Sequence, residues 1–345
     1  DGREVSRFLR ADNLVQVAKS TSFIAVMAVG ATLVILSGGI DLSVGSIYAL
    51  SAMAGAMTLH RFGPLGPGGE VAGLSPVAAG VLACLAVGAL CGAVNGMLVV
   101  GLRVHPFIVT LGTMAAFRGV AFVMPGWFAA EGELAVGQTI SDFPEAFTDG
   151  FIRREMFFGK GLYPVPMFLM IAVAAAGAFV LHKTVFGRRL FALGSNEQAA
   201  RLCGVPAALT KILVYTASGL TCGIAAVIFL GYYGAASSDA GTGYELAVIA
   251  SAVVGGASLA GGRGSAMGAL LGALVLQLIS NAIIILNIDQ NYSLVITGAV
   301  IVAAVVLDKL NGALIERSFR SRTPGSTPPP SGSETPHESE AAARV

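Results

Sequence analysis

The sequence predicts an all-α, polytopic membrane protein, and three features carry that reading. Of its 345 residues 55% are hydrophobic and 12% charged, with a mean hydropathy of +0.77. A soluble domain of this length would carry about 25% charged residues. Nine apolar stretches approach membrane-spanning length, at 20–38, 42–60, 74–100, 106–126, 164–182, 212–234, 244–261, 264–288 and 292–309. Between the fifth and the sixth, residues 183–211 hold five cations (Lys183, Arg188, Arg189, Arg201, Lys211) against the single acid Glu197.

Each element has its own signal. The first two stretches are separated by Ser37-Gly38-Gly39-Ile40-Asp41-Leu42-Ser43, where glycines permit a tight turn and Asp41 or Ser43 can cap the helix that follows. The third carries Gly88, Gly92 and Gly96 on one helical face, and the eighth carries Gly264, Gly268 and Gly272. Small residues in that register let two helix backbones approach closely, because lipid-embedded helices rely on van der Waals contact. The fourth starts at Pro106 and contains Arg118, about 18 Å along a helix from that proline. An arginine at that depth requires a polar partner or water unless it snorkels to the surface. Asn95, Gln277 and Asn281 are further in-span polar groups able to line a pathway or staple helices together.

Charge sets the expected topology. Lys and Arg resist translocation, so 183–211 belongs in the cytoplasm, as does the chain after Leu310 with Arg317, Arg320 and Arg322. Alternating crossings then place Arg103, His105 and Gly262-Arg263-Gly264 inside and 127–163 outside. Asp239, Glu245 and Asp289 fall at outer span ends. The count also leaves residues 1–19 outside despite Arg3, Arg7, Arg10 and Lys19. An earlier span missing from this sequence would repair that, so the expectation is nine spans here and ten natively, with both ends inside. The expected organisation is an outer segment 1–19, a membrane domain 20–310 and a disordered cytoplasmic tail 311–345, rich in Pro and Ser.

Several function classes are excluded or disfavoured. A net charge of +1 gives nucleic-acid binding no electrostatic basis. No GxxxxGK[ST] phosphate loop occurs, so ATP chemistry must sit on another chain. Gly256-Ala-Ser-Leu-Ala260 misses the esterase elbow at its last position, and no HExxH occurs. Cys84, Cys91, Cys203 and Cys222 lack metal spacing and read as small apolar fillers. Expected sites are therefore neither catalytic nor metal-binding.

Four stretches resemble the membrane permeases of monosaccharide ABC importers, the group with ribose, xylose, arabinose and galactoside permeases. They are MAVGATLVILSGGIDLSVGS (27–46), FIVTLGTMAAFRGV (107–120), GRRLFALGSNEQAARLCGV (187–205) and AGTGYELAVIASAVVGGASLAGGRGS (240–265). The resemblance implies a non-enzymatic, multi-pass subunit of the bacterial cytoplasmic (inner) membrane that forms the pathway for a pentose or hexose. It implies a cytoplasmic ABC ATPase that uses ATP and Mg, an extracytoplasmic sugar-binding protein and a second permease copy as partners, with no cofactor on this chain. It also implies that Gly194, Asn196, Glu197, Arg201 and Gly204 belong to the segment that couples to the ATPase. From the residues, Ser195 or Asn196 can cap a short helix beginning at Glu197, and Gly204 with Pro206 can end it. The pathway residues expected are Asp41, Ser43, Asn95, Arg118, Gln277 and Asn281. Two other readings stay open: a permease for nucleosides or branched-chain amino acids, and an autonomous secondary carrier, which the scarcity of in-span acids disfavours.

Overall fold

The computed structural model describes residues 8, 10–61, 74–128, 135–153 and 165–289, with isolated positions between 292 and 306. The described residues form helices and no strand. They are α1 (Ala11–Leu36), α2 (Val44–His60), α3 (Leu74–Leu102), α4 (Pro106–Phe128), α5 (Glu145–Phe147, continued by a π-helical turn Thr148–Ile152) and α6 (Val165–Lys183). After these come α7 (Val185–Ser195), α8 (Glu197–Leu202), α9 (Ala207–Tyr233), α10 (Tyr244–Val254) and α11 (Ala266–Ile285). The ninth apolar stretch, the tail, most of 62–75 and several acids of 127–163 lie outside the described residues.

Six of these helices (α1, α3, α4, α6, α9, α11) are long and apolar enough to cross a membrane. Two predicted spans are shorter. α2 has 17 residues, about 26 Å, and α10 has 11, about 16 Å. The apolar run 244–261 does not continue as a helix because Gly255 and Gly256 follow Val254, and Gly256, Gly261 and Gly262 all take positive φ. At the other end, α1 reaches back to Ala11, so Lys19 is a buried helical residue rather than part of a leading polar segment.

The centre of the bundle is α1, whose apolar window is 89% buried against 17% for α4. α9 packs beside it through Gly30, whose missing side chain leaves room for Ser218 and Thr221. The expected glycine ridges find their partners except at Gly264, which lies ahead of α11 and packs on Ala257. Gly88, Gly92 and Gly96 lie against Gly219, Tyr215 and Ile212 of α9, while Gly268 and Gly272 lie against Gly255 and Ser251 at the end of α10. Gly219 and Gly223 offer the same small-residue face from α9, so two backbones meet with almost nothing between them. Cys84, Cys91 and Cys222 are buried and unpaired, as apolar fillers should be; Cys203 is exposed.

Candidate functional site: a coupling segment and a polar pathway

Two features stand apart from the apolar bundle. The first is the basic segment. Thr184 Oγ1 accepts from Gly187 N at 3.2 Å and starts α7, whose Gly187, Leu190 and Leu193 face inward while Arg188 and Arg189 are exposed. Asn196 then turns extended and caps α8, its Oδ1 accepting from Ala199 N at 2.9 Å. Ser195, the other possible cap, instead donates to Phe191 O. Gly204 ends the segment with φ +81°, a left-handed position where a side chain would be strained.

Glu197 is held by two cations, with Arg201 at 2.6 Å on one carboxylate oxygen and Lys211 at 2.8 Å on the other. Burial pushes its pKa up, but the hydrogen bonds and charges of Lys211 and Arg201 outweigh it and leave the carboxyl below its ordinary value of 4.5. A depressed carboxylate stabilises the fold above the unfolded value and loses that contribution as pH falls through the folded one. Hydrogen exchange at Ala199–Leu202, corrected for intrinsic rates, is therefore expected to stay flat from neutral pH down to 4.5 and to accelerate below it. Acceleration beginning above 4.5 would show that the two cations do not hold the carboxylate. Leu202 closes α8 at 90% exposure, the most exposed of the large apolar side chains described. Beside it, a groove of about 530 Å³ is lined by Val100, Arg103, Val104, Glu197, Arg201 and Lys211.

The second feature is polar and deep. Asp41 Oδ1 accepts from Ser43 N at 2.9 Å and from Ser43 Oγ at 2.6 Å, and Asn95 Nδ2 donates to Ser43 Oγ at 2.7 Å. All three residues are buried. Asp41 thus organises the turn ahead of α2, while the Ser43 hydroxyl is committed to the Asn95–Asp41 chain and caps no helical N–H. Asp41 Oδ2 and the buried hydroxyl of Ser218 on α9 have no hydrogen-bond partner. Thr110 of α4 ties the turn from the other side, accepting from Leu42 N and donating to Ile40 O, both at 3.2 Å.

Arg118 stands apart from that chain. Its Nη1 donates to Ser238 O at 2.8 Å and Ala240 O at 2.6 Å, so this half-buried guanidinium is tied to backbone carbonyls of the α9–α10 connection. α4 begins at Pro106, which lines the same groove as Arg103, Arg201 and Lys211, so the Pro106 end of the bundle is its basic end. Arg118 is about 18 Å from that end, and it pulls residues 238–240 to its own level. The connection from α9 to α10 therefore dips into the bundle. Asp239, exposed, and Glu245, in the first turn of α10, lie beside Arg118. Gly45, near the start of α2, lets Gly241 and Glu245 approach. Together these groups surround a cavity of about 890 Å³.

The remaining expected pathway residues go elsewhere. Asn281 exchanges two hydrogen bonds of 2.9 Å with Asn13 and staples α11 to α1, and Gln277 lies one turn before it, half-buried. Sequence reasoning assigned no role to Ser46 or Thr110. The signal for this connection was Gly241-Thr242-Gly243, two glycines between the apolar runs 212–234 and 244–261 that take φ +69° and +82°.

The two features meet at a backbone junction. Gly194, at the end of α7, lies against the Leu36 carbonyl and Gly262 N, and Gly262 N donates to Leu36 O at 3.0 Å. Gly261 packs on Gly38 and Gly194 at the same point. The last turn of α1, the basic segment and the loop after α10 are thereby locked together, one short turn from Asp41.

Residues 13–305 match the family described as branched-chain amino acid transport system / permease component. The chain belongs to this permease family. The permease is 39% identical over 306 residues to the ribose import permease protein of Escherichia coli (strain K12), covering 87% of each chain. It is 37% identical over 309 residues to the ribose import permease protein of Bacillus subtilis (strain 168), covering 89% of this chain and 87% of that one. With the D-allose transport system permease protein of Escherichia coli (strain K12) it shares 35% over 304 residues, 88% of this chain and 85% of the relative. No solved structure gives a significant match to the permease. The resemblance carried by the four stretches is thus borne out, and the permease is a multi-pass membrane protein.

Proposed function

We propose that this chain is the pathway-forming subunit of an ATP-driven ABC importer for a monosaccharide, working in the bacterial cytoplasmic membrane. The observation that carries the reading is the junction of Gly194, Leu36, Gly38 and Gly262, which joins an exposed cytoplasmic segment to the turns bounding a polar interior. A partner ATPase that binds ATP and Mg would grip α8. Leu202 would enter an apolar cleft, and the neighbouring groove with Arg103 and Lys211 would take an acidic side chain of that partner. Nucleotide-driven movement of α7 and α8 would pass through the junction to the Asp41 turn and the α9–α10 connection. Alternating access follows only if nucleotide and the loaded binding protein prefer different states of the permease. The nine-pass arrangement, with α2 and α10 as spans completed by extended chain, and the pairing of two permease copies belong to the same proposal.

The ribose and allose relatives support a sugar as cargo. The deep hydroxyls and carboxylates also suit a polyol better than the apolar side chain of a branched-chain amino acid. The test is co-reconstitution with the ATPase and binding protein encoded beside it, assaying D-ribose uptake and stimulation of ATP hydrolysis. Leu202→Glu is expected to abolish association with the ATPase and lower stimulated uptake about tenfold or more, the effect of an interface residue worth about 1.4 kcal/mol or above. Full stimulation in that variant would remove α8 from the interface. Uptake by the permease alone, driven by an ion gradient, would replace the importer reading with that of a secondary carrier.

A further inference from the structure

The cavity beside Arg118 gathers charged and polar groups against the middle of α4. Asp239 and Thr242 are exposed on its rim, and Glu245 and Arg118 are half-buried in its wall, at the level reached by the dipping connection. Charged groups and irregular backbone at that depth are tolerated only against protein or water. Two helices begin here, α2 just ahead of Ser46 and α10 at Tyr244, so two sets of N-terminal N–H groups lie close by. Ser46 lines the cavity, is 0% exposed, and its hydroxyl has no hydrogen-bond partner. A buried hydroxyl left unpaired is costly unless something fills the role intermittently.

We propose that this cavity is a sugar-contact site within the permease itself, where a monosaccharide released from the binding protein is held by its hydroxyls during passage. This rests on the sugar-importer reading. A vicinal diol presents donors and acceptors on adjacent carbons, and the cavity offers complementary groups. Asp239 and Glu245 accept from sugar hydroxyls, and the Ser46 hydroxyl donates to one or accepts from one. Phe122 offers an apolar face to the C–H side of the ring. Arg118 acts as a positioning residue, since its Nη1 is occupied by the Ser238 and Ala240 carbonyls and so holds the carboxylates' own loop in place. At about 890 Å³ the cavity falls within the range of about 300–1,000 Å³ typical of small-molecule sites. The room left beyond a single sugar suits a water-filled stop on a route rather than a tight trap.

The test uses the reconstituted complex of permease, ATPase and binding protein, with D-ribose as the probe, and reads ribose imported per ATP hydrolysed. Asp239→Asn and Glu245→Gln are each expected to lower that ratio about tenfold, the scale of a lost charge-assisted hydrogen bond, and Ser46→Ala a few-fold. A wild-type ratio in both carboxylate variants overturns the site. Should a variant lose uptake and ATP hydrolysis together through misfolding, a second measurement decides. Thr242→Cys in a Cys203→Ser background is labelled with a membrane-impermeant maleimide, the other three cysteines being buried. Slower labelling with ribose-loaded than with unloaded binding protein, in the vanadate-trapped complex, supports the site. Equal labelling overturns it, as would protection that depends only on pairing of two permease copies. Failure of the importer reading looks different: the wild-type complex would then import no ribose.

Discussion

Gly194→Val is expected to lower nucleotide-driven uptake about tenfold or more while the protein still inserts and binds its ATPase. A Cβ at this position would fall onto the Leu36 carbonyl and crowd Gly262 N, both backbone groups that no rotamer change can move aside. Overpacking such a contact costs about 1–3 kcal/mol, and about 1.4 kcal/mol shifts an equilibrium tenfold. Gly194→Ala is expected to do nearly as much, because the first carbon already makes the clash. Gly101→Ala supplies the control, since nothing lies within 4 Å of a Cβ there. Uptake and ATP hydrolysis measured on all three variants check the claim; equal activity of Gly194→Val and Gly101→Ala would take the junction out of the mechanism.

The second large effect is expected at Arg118. Arg118→Leu removes the donor to both Ser238 O and Ala240 O. A hydrogen bond to a charged group contributes about 1.5–3 kcal/mol, so the variant should unfold at lower temperature and exchange faster at Asp239–Gly243. Arg118→Lys keeps the charge but loses the fork of the guanidinium, and should fall between the two. Exchange in that loop unchanged by leucine would mean that the connection holds its depth without the arginine.

Much of this was legible in the sequence for physical reasons that can be named. The glycine ridges at 88, 92 and 96 and at 268 and 272 gave helix packing directly, because small residues on one face have one main use in lipid, whereas Gly264 proved to lie ahead of α11. The Asn196 cap and the Gly204 stop followed from local backbone chemistry, which depends on few neighbours. What stayed hidden was non-local. Hydropathy does not mark helix ends, so the run 244–261 read as one stretch although its helix stops at Val254, ahead of Gly255 and Gly256. Asn281 read as able to line a pathway or to staple helices, but its partner, Asn13, lies 268 positions away and could not be named. Gly38 read as part of a tight turn, Gly262 as part of an inner connection, and Gly194 as part of the segment the resemblance assigned to coupling. Only their shared position showed that they are one structure.

That shared position sets how faithfully motion can be relayed. A linkage built from side chains has play in it: rotamers can swing, and a small input is absorbed before the output stirs. Here the parts in contact are main chain against main chain, fixed by the Gly262 N to Leu36 O bond. Close-packed backbone does not compress or re-sort under load. On the proposed function, a stroke from an ATPase partner would arrive at the interior turns without backlash, its timing set by the nucleotide cycle rather than by slack in the relay.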